Sequence, residues 1–315
     1  MIKYIIKRYN LGLEIFSISK KNNLVQIIDF GWFQSRNPSM ISLFKEAISW
    51  ISWDFLPIFI NTWDRPINKH SKRIILSFSS SDNFTDIIIP DFIYDCRKEA
   101  KIENFTDEIN KIKNVWKKEW ILKKIWRIWN CNTHENRWKL YRLWQENKNL
   151  MEIMHCDLSL SNIFFLSLED LVKKYKYLID IEGRWYSGRL KLLFFARRPI
   201  FIQDREYKDF LCQYLKPWEN YIRVKNDLSD LEDAILTIQN NPKLEKTIIN
   251  NTIDFAETYL TKEKAISYIK NTLQKISKTH KYKQNIYLYV IFLYIQKIKS
   301  FTIHIRNKLW KKIMK

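Results

Sequence analysis

Residues 174–189 read KYKYLIDIEGRWYSGR and have the pattern of a strand, a tight turn and the start of a helix. The strand should end at Ile181, where the β-branched apolar run stops, and Gly183 permits a sharp turn after it. Ser187 and Arg189 then fall in the first turn of the next helix, where backbone N–H groups are free. A hydroxyl, a guanidinium and free N–H groups around one point suit a diphosphate. A capped helix with a surface arginine is the alternative, since serine is common at helix starts.

The rest of the chain alternates short apolar runs with helical patterns up to about residue 225, and one of these patterns predicts a helix at 205–214. This alternation predicts an α/β protein with parallel sheets. From Leu228 onward the pattern is helical, and Ser229 followed by Glu232 has the form of a capping box. We expect two α/β domains, 1–120 and 121–280, followed by a basic amphipathic tail at 281–315. The sequence therefore predicts two sheet-containing domains with a helical C-terminal end.

The composition is strongly basic and poor in glycine. Lys and Arg number 54 against 34 Asp and Glu, which gives a formal net charge of +20, and glycine occurs only 4 times in 315 residues. A field of this sign attracts nucleic acid, anionic lipid, nucleotides or phosphorylated glycans without choosing among them. The scarcity of glycine argues against repeated glycine-rich phosphate loops, and no nucleic-acid-binding module is recognisable.

Cysteine usage and hydropathy favour a cytoplasmic location. The four cysteines show neither paired spacing nor a metal-site pattern with histidine, as expected for reduced thiols. The N-terminus lacks the pattern of a signal peptide, and the longest apolar run, 286–295, is too short to span a bilayer. The tail after Lys297 has no acidic residue and could lie on an anionic membrane surface, or pack as a helix with a solvated basic face.

Three motifs follow the opening stretch in order. They are Leu-Lys-Pro-Trp at 215–218, Tyr-x-x-Val at 221–224 and Asp-Leu-Ser-x-Leu at 227–231. Their order and spacing resemble glycosyltransferase family 90, which includes fungal capsule-associated xylosyltransferases, Rumi-type protein O-glucosyltransferases and bacterial lipopolysaccharide transferases. Asn220 stands where this family usually has histidine.

Motifs upstream agree with the resemblance. Leu-Ser-Phe-Ser at 76–79 and Asp-Ile-Ile-Ile-Pro at 86–90 resemble family segments, and on this basis Ser79, Asp86 and Phe92 belong to the acceptor side. The run from Phe59 to Asp64 resembles the strand, ending in Asn-x-x-Asp, that supplies the catalytic base of the family. Without the resemblance, Asp64 would read as an ordinary loop carboxylate.

One family motif is altered. Thr133 and Arg137 keep the spacing of the family, but Trp-Asn-Cys at 129–131 replaces Arg-Gly-Ser. Arg197 and Arg198 replace a small Gly-Ser pair after the donor-site helix. These changes concern how the pyrophosphate is held, and one of the two extra arginines could compensate for them.

The resemblance implies a GT-B architecture, with two Rossmann-like domains facing across a cleft. It implies an inverting reaction in which Asp64 takes the proton of an acceptor hydroxyl and UDP departs from a UDP-sugar, with glucose or xylose as the sugar. The acceptor would be a glycan or protein, as in surface-glycan synthesis, and no metal or cofactor would be needed. The implied donor-binding residues are Thr133, Arg137, Gly183, Ser187 and Arg189.

Two other functions remain open at this point. His155, Asp157, Asn162 and Asp180 mimic the catalytic loop and metal-binding aspartate of small-molecule kinases. A kinase also needs a glycine-rich loop, yet the first 150 residues contain only Gly12 and Gly31. The altered motif at 129–131 also leaves room for a non-catalytic basic binding protein derived from a transferase.

Overall fold

The computed structural model describes residues 15–29, 36–69, 74–115, 122–129, 134–155 and 167–278. These residues form two five-stranded sheets, one in each half of the chain, with helices packed against them. The α/β class is confirmed, and the two sheets agree with the GT-B type of arrangement. Of the predicted features, Thr133, Asp157, Asn162 and the tail 281–315 lie outside the described residues.

The sheet of the N-terminal half is mixed, with the strand order β2-β1-β3-β4-β6. Its strands, together with a short strand β5 beside it, are β1 (Ile15–Lys21), β2 (Leu24–Asp29), β3 (Phe55–Asn61), β4 (Ile75–Ser77), β5 (Ser79–Ser80) and β6 (Ile87–Ile88). Strands β3, β4 and β6 are parallel, but β1 is antiparallel to both β2 and β3. The prediction of parallel strands therefore holds for β3, β4 and β6 but not for β1 and β2. The β1–β2 turn contains Asn22 and Asn23, both at positive φ, which suits a two-residue hairpin loop.

The sheet of the C-terminal half is entirely parallel, with the order β12-β10-β9-β7-β8. The strands of this half are β7 (Leu122–Trp129), β8 (Met151–His155), β9 (Tyr175–Asp180), β10 (Ile200–Gln203), β11 (Lys208–Asp209) and β12 (Ile222–Val224). Strand β11 pairs with β5 of the N-terminal half rather than with this sheet. In open parallel sheets, ligands bind beyond the carboxyl ends of the strands. The end of β9, at Asp180, lies at this edge of the sheet.

Helices cover both sheets. They are α1 (Arg36–Ser49), α2 (Phe105–Lys113), α3 (Glu135–Glu146), α4 (Leu168–Lys174), α5 (Leu190–Leu193), α6 (Leu231–Gln239), α7 (Pro242–Tyr259) and α8 (Lys262–Ser277). Within the described ranges, none is long and apolar enough to cross a membrane. Helix α8 returns to the N-terminal half and packs on α1. The predicted boundaries at 120 and 280 stay predictions.

Two local expectations are wrong. The segment 205–214 reads as a helix but forms β11 and a 3-10 segment, because β11 pairs with β5 across the two halves. The capping box at Ser229 does not form: Asp230 occupies the cap position, and its carboxylate accepts the N–H of Lys225 at 2.8 Å. Leu228, at φ 65°, turns the chain just before this helix.

One continuous apolar core joins the two halves. Phe105 of α2 contacts Phe195 with ring centroids 6.3 Å apart, and Tyr94 contacts Phe210 at 5.6 Å. All four side chains are buried in the same cluster. The N-terminal and C-terminal halves are therefore packed together directly beside the segments that carry the candidate site.

Candidate functional site

Asp64 follows β3 in a turn that Asn61 shapes. The Asn61 amide donates to the Arg65 carbonyl at 2.8 Å, and its oxygen accepts the N–H of Trp63 at 3.1 Å. The asparagine of the Asn-x-x-Asp motif thus folds the loop that carries the aspartate. Ser79 reinforces the loop, because its hydroxyl donates to the Asp64 carbonyl at 2.8 Å.

The Asp64 carboxylate is held by an arginine that the sequence did not single out. Arg36, at the start of α1, donates from Nη1 to Oδ1 at 2.8 Å and from Nη2 to Oδ2 at 3.3 Å. The Arg36 guanidinium lies 5.0 Å above the ring of Phe92. The Asp64 side chain keeps 36% of its surface exposed, so it can reach a substrate. The predicted residues Asp64, Ser79 and Phe92 therefore lie together.

Asp86 supports a loop of the N-terminal half, and its assignment to the acceptor side stays a prediction. It is buried, and its two oxygens accept the N–H of Ile67 at 3.2 Å, the N–H of Asn68 at 2.7 Å and the hydroxyl of Ser77 at 2.5 Å. Burial raises the pKa of Asp86, while these hydrogen bonds lower it. The carboxylate is thus occupied in fastening residues 67 and 68 to β4.

On the donor side, Arg137 lies directly against Gly183. Its Nε donates to the Glu182 carbonyl at 3.1 Å, and a Cβ at position 183 would lie 2.6 Å from its Nη2. Gly183 thus leaves room for the close approach of a guanidinium. The structure brings these two predicted donor-binding residues into contact.

Glu182 joins several elements of the C-terminal half, although no role is predicted for it from the sequence. Its carboxylate oxygen Oε1 accepts from the side-chain amides of Asn136 at 2.8 Å and Asn226 at 3.0 Å. Its N–H donates to the side chain of Gln203 at 3.0 Å. These bonds tie the start of α3 to the carboxyl ends of β9, β10 and β12. Its position beside Gly183 in the motif was the available signal.

Ser187 does not cap a helix, because its hydroxyl donates to Asp180 Oδ1 at 2.9 Å. The other oxygen of Asp180 accepts from Arg205 Nη2 at 2.7 Å, and the Asp180 side chain is fully buried. A carboxylate enclosed in this way is not open to magnesium, which argues against the kinase interpretation. No group of three or more His, Cys, Asp or Glu side chains suited to a metal occurs in the described part of the chain.

Arg189 ends the motif immediately before α5, where the two halves meet. Burial lowers the pKa of Arg189, the charge of Asp180 raises it, and the nearby charge of Arg97 lowers it again. A Cβ at Gly188 would lie 3.4 Å from Arg97 Nη1, a group of the N-terminal half. Arg189 therefore shares its surroundings with a second arginine.

Tyr186 connects the donor motif to the predicted base. Its ring packs against Phe78 of the N-terminal half at 6.1 Å. Burial raises the pKa of Tyr186 well above its usual value, and the negative charges of Asp91 and Asp64 raise it further, while Arg36 lowers it. The charges of Arg36 and Asp64 therefore act on the Tyr186 hydroxyl, although Tyr186 belongs to the 174–189 motif.

A buried ion pair links the same two regions. Lys191 Nζ of α5 contacts Asp91 Oδ2 at 2.6 Å, and each side chain is only 1% exposed. Asp91 also accepts the N–H of Ile93 through Oδ1 at 3.3 Å, which starts the short 3-10 helix Phe92–Tyr94. The helix that follows Arg189 is therefore fastened to the segment beneath Arg36.

The two arginines expected to compensate for the altered motif do not do so. Arg198 is buried and donates to the carbonyls of Val172 at 2.7 Å and Tyr175 at 3.3 Å. Tyr175 begins β9 and Asp180 ends it, so Arg198 lies about 16 Å from the candidate site. Arg197 is exposed and turns the chain at φ 52°. This expectation is wrong because both residues serve the opposite end of the sheet.

The chain is similar to known proteins over most of its length. The family model "Glycosyl transferase family 90" matches residues 51–302. Protein O-glucosyltransferase 2 of Danio rerio is 25% identical over 298 residues, covering 87% of this chain and 57% of that protein. Protein O-glucosyltransferase 1 of Rattus norvegicus is 34% identical over 105 residues, covering 33% of this chain and 27% of that protein. The chain thus spans less than two thirds of either relative.

Among solved structures, Anabaena Alr3699/HepE in complex with UDP matches with a TM-score of 0.35 and 10% identity, covering 53% of this chain and 44% of that one. A likeness at this level supports no conclusion about the site. The family match covers most of the chain, including the Asp64 turn and the 182–189 motif. This chain belongs to glycosyltransferase family 90.

Proposed function

We propose that this protein transfers a sugar from a UDP-sugar to the hydroxyl of a glycan or protein, with inversion at the anomeric carbon and without a metal ion. The observation that carries the proposal is the position of Tyr186, whose ring contacts Phe78 and whose surroundings include Asp64. The candidate base of one half thus lies beside the diphosphate-binding motif of the other, as a direct displacement requires.

In this mechanism Asp64 accepts the proton of the acceptor hydroxyl as its oxygen bonds to the anomeric carbon. The bond from that carbon to the diphosphate oxygen breaks, the electron pair leaves with UDP, and the configuration inverts. Arg36 holds both oxygens of the carboxylate and so fixes the direction from which the proton is taken. Partial exposure of Asp64 leaves room for the acceptor.

The departing diphosphate requires positive charge, which the chain can supply through side chains. Arg137 lies against Gly183, and Arg189 follows Ser187 at the end of the motif. Fixed cations directed at developing negative charge lower the barrier without a metal ion. We assign Thr133 to donor binding as well, and this assignment rests only on its spacing from Arg137 in the sequence.

For the sugar and the location, we propose glucose first, with xylose as the alternative. The relatives reported above are named O-glucosyltransferases, which favours glucose. We further propose a cytoplasmic protein that acts in surface-glycan synthesis and touches anionic membrane through residues 281–315. The excess of basic residues in the whole chain supports attraction to an anionic surface.

The test is a binding and turnover experiment on the full chain. UDP should raise the melting temperature in the presence of EDTA, whereas ATP with magnesium should not. Release of UDP from UDP-glucose or UDP-xylose should continue in EDTA, and NMR of the product should show the inverted anomer. Stabilisation by ATP with magnesium but not by UDP would contradict the proposal. UDP binding without any turnover would favour the non-catalytic alternative.

A further inference from the structure

Arg97 is held rigidly by its backbone in the N-terminal half. Its N–H donates to the Ile102 carbonyl at 2.7 Å, and its carbonyl accepts the N–H of Ile102 at 3.1 Å. These reciprocal bonds form an isolated antiparallel bridge just before α2. The position from which the side chain extends is therefore well defined.

The guanidinium of Arg97 reaches the donor motif of the other half. Its Nη1 lies 3.4 Å from the Cβ position of Gly188, between Ser187 and Arg189. A glycine at this position leaves room for the approach. Arg97 is half-buried, so it keeps some contact with solvent.

The charge of Arg97 is not neutralised within the described residues, where its guanidinium has no ion-pair partner. Two other arginines near the site form ion pairs, Arg36 with Asp64 and Arg205 with Asp180. Asp91 also approaches Gly188, at 3.6 Å from the same Cβ position, but it is paired with Lys191. A half-buried guanidinium beside a phosphate-binding motif is suited to an external anion.

Arg97 also lies close enough to Arg189 for its charge to lower the pKa of Arg189. Two cations that converge in a partly desolvated place repel each other unless an anion lies between them. A diphosphate, with several negative oxygens, matches two guanidinium forks.

The sequence gives a reason for a cation at this place. The family has an arginine in the motif that Trp-Asn-Cys replaces at 129–131, and Arg197 and Arg198 serve the far end of the sheet. Arg97 places a cation of the N-terminal half beside Gly188 of the motif.

We infer that Arg97 is a ligand of the donor diphosphate, so that a nucleoside diphosphate is held by both halves at once. This inference rests on the proposed function, because it takes the same nucleotide-sugar as its ligand. It adds a binding residue outside the predicted donor set and assigns it to the half that was expected to serve the acceptor alone.

Calorimetric titration with UDP and with UMP tests the inference. Arg97→Ala should weaken UDP binding by about 10- to 100-fold, as expected for the loss of a charge-assisted hydrogen bond. UMP, which lacks the second phosphate, should lose less. Lys98→Ala is the matched control, because it removes one charge from an exposed neighbour and should leave UDP affinity unchanged. Arg97→Lys should give an intermediate affinity, since it keeps the charge without the fork.

The outcomes separate the inference from the proposed function. If the unaltered protein binds no UDP, the proposed function fails, and the inference fails with it. If the protein and Arg97→Ala bind UDP equally, the inference alone is overturned. An equal loss in Lys98→Ala would also overturn it, because the effect would then be one of general charge. Should Arg97→Ala not fold, Arg97→Gln replaces it with the same expected loss.

Discussion

At the scale of single residues, the site depends on side chains whose partners are far away in sequence. Asp64 is gripped by Arg36, and Arg137 fits against Gly183. Asp64 belongs to a recognisable motif, and Arg36, which does not, explains how its carboxylate is held. Arg137 and Gly183 belong to two different motifs that the fold brings together. Changes to either member therefore have distinct consequences for turnover and for donor affinity.

Asp64→Asn should lower the turnover rate by at least about 10²-fold while UDP affinity stays unchanged. The amide has nearly the same shape as the carboxylate but cannot take the proton of the acceptor, and general-base assistance contributes about 10²–10⁴-fold. The measurement is the rate of UDP release beside the Kd for UDP. Asp204→Asn, at an exposed carboxylate paired with Arg223, is the control and should remain active. Full activity in Asp64→Asn would remove Asp64 from the mechanism.

Gly183→Ala should weaken UDP binding by about tenfold, because a methyl group would lie 2.6 Å from Arg137 Nη2 and displace the guanidinium. The sharper measurement is a double-mutant cycle. Once Arg137→Ala has removed the guanidinium, Gly183→Ala should cost little further affinity. Additive losses in the double variant would show that Gly183 acts through the backbone and not through Arg137.

At the scale of elements, α5 and the 3-10 helix Phe92–Tyr94 form the joint between the two halves. The Lys191–Asp91 pair connects them, and Lys191 Nζ also lies 5.3 Å from the ring centroid of Tyr186. A buried pair of this kind contributes geometry more than net stability, because desolvation offsets most of the attraction. The pair fixes the position of α5 relative to the 3-10 helix Phe92–Tyr94.

Lys191→Met should lower the free energy of unfolding by about 3–5 kcal/mol, because it leaves the Asp91 carboxylate buried without its cation. Urea denaturation is the measurement. The double variant Lys191→Met with Asp91→Asn should recover part of the loss, since position 91 then carries no buried charge and its amide oxygen still accepts the N–H of Ile93. The recovery should be partial because Asp209, 4.0 Å from Lys191 Nζ, still loses a cation. A double variant as unstable as the single one would show that packing, and not charge, sets the cost.

At the scale of the whole molecule, the apolar core crosses from one half to the other. Phe105 and Phe195 meet in it, and α8 packs back onto α1. Strand β11 adds to the connection through its pairing with β5. The two sheets are thus parts of one packed unit at the described residues.

Unfolding in urea should therefore follow a single cooperative transition, with far-ultraviolet circular dichroism and tryptophan fluorescence giving the same midpoint. UDP at 100 times its Kd should shift the whole transition to higher urea, because it adds about 2.7 kcal/mol to the free energy of unfolding. Two separate midpoints, with only one moved by UDP, would show that the halves unfold independently and that the ligand contacts one of them.

The sequence by itself determined the α/β class, the parallel strands of the C-terminal half and the family. Apolar periodicity and the order of motifs are local properties of the chain, so they are visible in the sequence. The stretch 174–189 shows both. It also indicated Asp64, Arg137, Gly183 and Ser187, because each lies in such a motif.

Only the tertiary structure decided which side chains meet. Arg36, Glu182 and Lys191 lie in no motif that predicts their partners, and they pair with residues 28, 44 and 100 positions away. Strand pairing across the halves replaced the expected helix at 205–214 with β11 and a 3-10 segment. The antiparallel pairing of β1 with β2 and β3 made the first sheet mixed. The reason is physical: a hydrogen bond or an ion pair depends on distances of about 3 Å, which chain folding creates between segments that share no local pattern.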